Sequence, residues 1–230
     1  MSELLHFAEH RLQEVCLGIM AVVYTLRVLW LLRFKAGRER QAPTGATDTT
    51  PRRGILYSWL IIGRPGAMES TRTRRFLYFQ FIVFHLGVTA AIGLSFIIPY
   101  APGLLNRSPL VWGVQTIIAG AFLVGVYRFV RRVSDPYMRA ISSPDDYFSL
   151  ILLTMWFFFA VLAAPNRSAW GEWHLLAYFF LTAFFLLYVP FSKISHYLYY
   201  PFTRYYFGKS MGYRGVYPPP RMPRPTTMRG

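Results

Sequence analysis

Phe76–Pro99 reads FLYFQFIVFHLGVTAAIGLSFIIP, 24 residues with no acidic or basic side chain apart from one histidine, His85. A helix rises about 1.5 Å per residue and the hydrocarbon core of a bilayer is about 30 Å thick, so a run of this kind has the length of a membrane span. Four more apolar runs lie around it: Val15–Leu32, Leu110–Val130, Phe148–Ala164 and Trp173–Tyr200. The chain is 54% hydrophobic and only 15% charged, whereas soluble domains run near 25% charged. These features predict an all-α integral membrane protein with five transmembrane helices and leave no room for a sizeable soluble domain.

The formal net charge of +15 is distributed in a way that argues against nucleic acid as the partner. Ten basic residues fall in Arg33–Arg75, four in Arg128–Arg139 and seven in Lys193–Arg229, against single arginines at Arg11, Arg107 and Arg167 in the alternate connections. By the positive-inside rule this places the amino terminus outside and the carboxyl terminus in the cytoplasm. Residues 1–208 then form the membrane domain, with the loop 35–75 cytoplasmic, and residues 209–230 a basic, Pro-rich cytoplasmic tail that should be extended. Cys16 is the one cysteine, which excludes a disulfide framework, covalent haem attachment through Cys-x-x-Cys-His and a thiolate iron–sulfur site.

Shorter features fill in the plan. Met1–Glu14 lacks a signal-peptide pattern and is expected in the outer interface, with His6 and His10 on one helical face. Ile55–Ile62 is too short to span and reads as an amphipathic or re-entrant piece at the inner surface. Ser143-Pro144-Asp145-Asp146 reads as the cap and first turn of the fourth span. Trp170 and Trp173 sit where an aromatic belt belongs.

The chemistry is carried by histidines. Tyr178–Phe207, YFFLTAFFLLYVPFSKISHYLYYPFTRYYF, is nearly all apolar and aromatic and holds His196. An imidazole in hydrocarbon is costly and marks a candidate site. Counting from Phe76 puts His85 about 13 Å from the cytoplasmic face, and counting back from Arg204 puts His196 about 12 Å in. Two imidazoles at one depth on different helices can ligate one b-type haem from both sides. Lys193 and Arg131 or Arg132 lie on the side that would face its propionates. The competing reading is that each histidine bonds a carbonyl separately.

Three stretches carry a resemblance: FHLGV (Phe84–Val88), VRRVSDPYMRAISSPDDY (Val130–Tyr147) and LLYVPFSKISH (Leu186–His196). Here the chain resembles the membrane cytochrome b (gamma) subunit of respiratory nitrate reductases and its relatives in heterodisulfide-reductase-like and sulfite-reduction-associated complexes. The resemblance implies a quinol oxidoreductase arm in a prokaryotic inner membrane. It also implies a haem b ligated by His85 and His196, quinone or menaquinone as substrate, and a cytoplasmic iron–sulfur partner subunit. The positions of the family's outer haem ligands hold Ser95 and Tyr178. His174, one turn before Tyr178, and His10 offer themselves as a substitute pair for a second haem. Alternatively His174, Tyr178 and Ser95 line a polar pocket for a quinone headgroup, or His174 sits in the aqueous interface beside Glu172. A haem-free membrane anchor for a cytoplasmic complex is the alternative from another functional class. A transporter fits less well, because the spans lack paired carboxylates and a broken helix pair.

Overall fold

The computed structural model describes residues 2–34, 37, 40–64, 69–169 and 171–219. Trp170 and residues 220–230 of the Pro-rich tail lie outside them. Helix is the only regular structure among the described residues, and five helices have the length and apolar character to cross a membrane. The chain divides into two compact units, Met1–Trp30 with Arg75–Ser195, and Leu31–Arg74 with His196–Gly230.

The first unit is built on α1 (Glu3–Arg33), with α3 (Arg75–Tyr100), α4 (Ser108–Ser134), α5 (Pro144–Ala163) and α6 (Trp173–Tyr188). Short connections make successive helices antiparallel neighbours. Gln115 Nε2, early in α4, donates to Val161 O late in α5 at 3.0 Å, and Ser149, early in α5, shares a 2.9 Å hydrogen bond with Tyr188 at the end of α6. Lipid tails are as apolar as leucine, so these helices hold together by close packing of small residues and by interhelical hydrogen bonds. Gly87 of α3 sits directly on Ala121 of α4, too close for a side chain. The predicted cap of α5 is present as a capping box: Asp146 accepts from the Ser143 main-chain N–H and hydroxyl, both at 2.8 Å.

Two boundaries differ from the sequence expectation. Met1–Glu14 was expected at the interface, yet residues from Glu3 onward belong to α1, with a π-helical stretch at Phe7–Leu12. This beginning is the packed part of the helix: Leu5, Ala8, Glu9, Gln13 and Cys16 are buried, while Val15, Val22, Leu26, Trp30 and Leu32 are more than half exposed. The other difference is at the fifth span. It ends near Phe191 rather than Tyr200, because Pro190 has no N–H to continue the ladder and Ser192 turns extended. The Ser192 hydroxyl then accepts from Ile194 N at 3.2 Å, giving the backbone a local alternative to helix.

The second unit pairs α2 (Pro51–Leu60) with α7 (His196–Tyr213). The expected amphipathic piece is thus a helix packed on another helix. A Cβ at Gly208 would lie 2.6 Å from Gly54 O, and one at Gly212 would lie 2.5 Å from Thr50 O, so glycine is required for this approach. Thr49 Oγ1 donates to Gly212 O at 2.8 Å, and Gly45 N and Ala46 N donate to Arg214 O and Gly215 O at 3.0 Å. Trp59 Nε1 closes the other end on Pro201 O at 3.0 Å. The expected tail boundary at 208/209 therefore falls inside α7, and Lys209–Tyr213 is helical because Gly208 and Gly212 seat it on α2.

Candidate functional site

His85 projects from the middle of α3, half-buried, and its Nδ1 lies 2.7 Å from Phe81 O one turn back. A carbonyl can only accept, so Nδ1 is the donor in this bond. The Phe81 ring packs at 4.1 Å between centroids, and Arg128 lies over the neighbouring Phe84 ring at 5.0 Å. His85 belongs to the first unit. His196 belongs to the second, where it is exposed as the first residue of α7 beside the Tyr197 ring. Since α6 ends at Tyr188, the count of five whole turns from Tyr178 to His196 does not describe one continuous helix.

The cations expected near the propionates meet around one carboxylate. Lys193 Nζ reaches Asp146 at 3.0 Å and the Ser143 hydroxyl at 2.7 Å. Arg132 Nη1 stands 4.0 Å from the same carboxylate and donates to Ser142 Oγ at 2.5 Å. Arg132 Nε is buried without a hydrogen-bond partner among the described residues. Arg131 precedes it on the last turn of α4. Lys193 and Arg132 thus share the Asp146 carboxylate, while the neighbouring Asp145 accepts from the Tyr188 hydroxyl at 2.5 Å.

At the opposite end of the first unit the structure brings Ser95 and Tyr178 together in its interior. Tyr178 is wholly buried; its hydroxyl donates to Ala91 O at 2.5 Å and is within hydrogen-bond reach of Ser95. The indole of Trp156 donates to Thr182 at 2.9 Å one turn further on. A phenol buried in this way needs its partner, and this one has it.

His174 and His10 are placed differently from that pair. His174 is buried edge-on against Trp173 and lines a cavity of about 240 Å³ with Leu162, Pro165, Arg167 and Ala169. His10 lies against the rings of His6 and Tyr100, at 4.7 and 5.4 Å. Among the described residues no group of three or more His, Cys, Asp or Glu side chains is placed to hold a metal ion.

Glu9 and Gln13 are the polar residues that sequence reading missed. Both are 2% exposed, and one side-chain oxygen of each has no hydrogen-bond partner among the described residues; Gln13 Nε2 donates to Ser95 O at 3.0 Å. Their signal was present in the i, i+4 spacing, in register with Leu5, but the expected span began two residues later at Val15. Beside them Ser2 clasps Glu172. The Ser2 main-chain N–H donates to both carboxylate oxygens at 2.9 and 3.0 Å and its hydroxyl donates to one, which together hold the Glu172 carboxyl below the usual range.

Comparison with protein-family models, curated proteins and solved structures finds no match.

Proposed function

We propose that this chain is a haem b membrane subunit that passes electrons between a quinol pool and a cytoplasmic iron–sulfur partner. The observation that carries the reading is the His85 ring. With Nδ1–H held by Phe81 O, a neutral imidazole would present Nε2 to iron, the arrangement that outer-shell carbonyls impose on metal-bound histidines. His196 is the proposed second ligand, supplied by the start of α7. Arg132 and Lys193 supply positive charge for propionates, and the unpartnered Arg132 Nε–H suits that role. Haem, when bound, supplies a one-electron carrier whose potential depends on its axial ligands and on burial. The remaining task of the protein is to orient the ligands and to place quinol near them. The proposed orientation, amino terminus outside in a prokaryotic cytoplasmic membrane, puts the Asp146 corner on the side of the iron–sulfur partner.

A reduced-minus-oxidised spectrum of the purified protein tests this reading, with a b-type signal expected. His85→Ala should lower haem per chain, read by pyridine haemochrome; unchanged haem content would overturn the ligand assignment. The wild-type ratio distinguishes one haem from two, and so decides whether His174 and His10 hold a second. A second reading, a haem-free anchor for a cytoplasmic complex, is favoured by the second unit, which exposes Arg52, Arg53 and Lys209 beside exposed Trp59, Tyr205 and Phe207. Absence of any b-type signal in a folded, purified chain would select it.

A further inference from the structure

The second unit is built inside out. Among its described residues Ile61 is the only large apolar side chain that is buried, and the helix contact itself is made by Gly54 and Ser58 of α2 with Gly208 and Gly212 of α7. The large side chains are on the outside. Leu56, Trp59 and Leu60 of α2 are 57%, 42% and 57% exposed, and Tyr205, Tyr206 and Phe207 of α7 are exposed as well. A helix pair in water does the reverse, because burial of large apolar residues is what drives it together. In lipid that drive is absent, and helices meet through small residues with their backbones in contact. The approach of Gly54 to Gly208 is of this second kind. Composition selects the layer. With ten residues, about 15 Å, α2 is too short to cross the hydrocarbon. Six of the 18 residues of α7 are tyrosine, and the Trp59 indole sits against its first turns; both residue types collect at the headgroup level. Neither helix contains an acidic residue. The contacts of Gly212 with Thr50 and of Gly208 with Gly54 make the pair antiparallel, which sets exposed Lys209 level with exposed Arg53 and Arg52. The pair therefore has a basic end, and an apolar end at Leu56–Leu60.

From this we infer that α2 and α7 form a membrane-surface module that binds anionic phospholipid. Leu56, Trp59 and Leu60 lie among headgroups and the upper acyl chains, while Arg52, Arg53 and Lys209 pair with the lipid phosphates. Apolar area and basic charge act together in binding of this type, and each basic side chain near an anionic leaflet is worth about fivefold. Arginine donates to phosphate through a planar fork and lysine as a point charge, so neither demands one particular headgroup beyond its negative charge. Arg53 keeps donors for this purpose: one guanidinium nitrogen bonds the Asp48 main-chain carbonyl at 3.0 Å. The inference stands apart from the haem reading, and it gives to lipid the surface that the haem-free reading gives to a cytoplasmic complex.

The test uses the full-length chain in a Cys16→Ser background, with a nitroxide spin label on Leu60→Cys or, separately, on Leu56→Cys. Each is reconstituted into vesicles of phosphatidylcholine alone or of equal parts phosphatidylcholine and phosphatidylglycerol. Collision of the label with molecular oxygen, which concentrates among acyl chains, is compared with collision with a water-soluble nickel chelate. In the mixed vesicles oxygen collision should exceed chelate collision at both positions. Omitting phosphatidylglycerol should raise chelate collision about fivefold or more. The triple change Arg52→Gln, Arg53→Gln and Lys209→Gln should do the same in mixed vesicles; all three side chains are exposed, so the glycine contact between the helices is left as it is. Chelate collision that exceeds oxygen collision at both positions in both kinds of vesicle would overturn the inference and leave the surface to a protein partner. Weak collision with both reagents would overturn it too, since protein would then cover the labels. Lipid burial that ignores both phosphatidylglycerol and the triple change would overturn the assignment to anionic lipid.

Discussion

His85 and Tyr178 each hydrogen-bond a main-chain carbonyl of α3, with opposite consequences. In Tyr178 the bond uses the only proton of the hydroxyl and closes the group off in the interior. In His85 it uses one ring nitrogen and defines what the other can do. That difference was not legible in the sequence, where both were single polar residues in apolar runs. Glu172 is the residue for which pH has a clear sign. Its carboxyl is depressed by the Ser2 hydroxyl and then by the Ser2 main-chain N–H. The clasp is therefore fully present above the ordinary glutamate value of about 4.3 and is lost as pH falls through the lower folded value. The protection of the Leu5 and His6 amides, taken against the intrinsic exchange rate at each pH, should hold at about pH 5 and fall towards about pH 3. In Glu172→Gln the same amides should be less protected at both, without the step.

Among the elements, α3, α4 and α5 were legible because an uncharged run and a Ser-Pro-Asp-Asp start signal specify a membrane helix almost completely. The end of α6 was less so. Pro190 was visible, but an apolar run that continues past a proline gives no sign of whether the helix kinks or stops, and here the serines at 192 and 195 supply the turn. The pairing of α2 with α7 had a signal that went unread: Gly208 and Gly212 stand four apart, the small-residue spacing that lets two backbones touch. A valine at Gly208 would drive its Cβ into Gly54 O and Ile55 Cα, both backbone at 2.6 Å, and neither can rotate away. Gly208→Val should cost about 1–3 kcal/mol and loosen α2. Trypsin should then cut after Arg52 and Arg53, which the parent protein and the exposed-site control Lys209→Ala protect; equal protection in Gly208→Val would refute the packing account.

For the whole molecule, hydropathy predicted five spans and the described residues contain five helices able to cross a membrane, while the proposed orientation rests on the alternation of basic connections alone. Single cysteines in a Cys16→Ser background test that orientation. A membrane-impermeant maleimide should label Gly103→Cys in intact cells and Tyr137→Cys only after permeabilisation; the opposite pattern would invert the proposal and with it the side of the iron–sulfur partner. The division into two units could not be foreseen, because it joins the 31–74 connection to the last helix across more than a hundred residues and depends on glycine contacts rather than on composition.

The Ser2–Glu172 clasp joins positions 170 residues apart, and the buried start of α1 packs on α6. Synthesis runs from the amino-terminal side, so α1 reaches the membrane before α6, with its inward-facing Leu5, Glu9 and Gln13 uncovered. The next span, α3, covers part of this face through the Gln13–Ser95 bond, and the rest waits for α6, two further spans on. Contacts of such long sequence separation form late, and a chain stalled before α6 holds a buried-type glutamate that is only partly covered. Completion of α6 is therefore the point at which the start of α1 is fully covered, and truncations before Trp173 should be short-lived even though four of the five spans are intact.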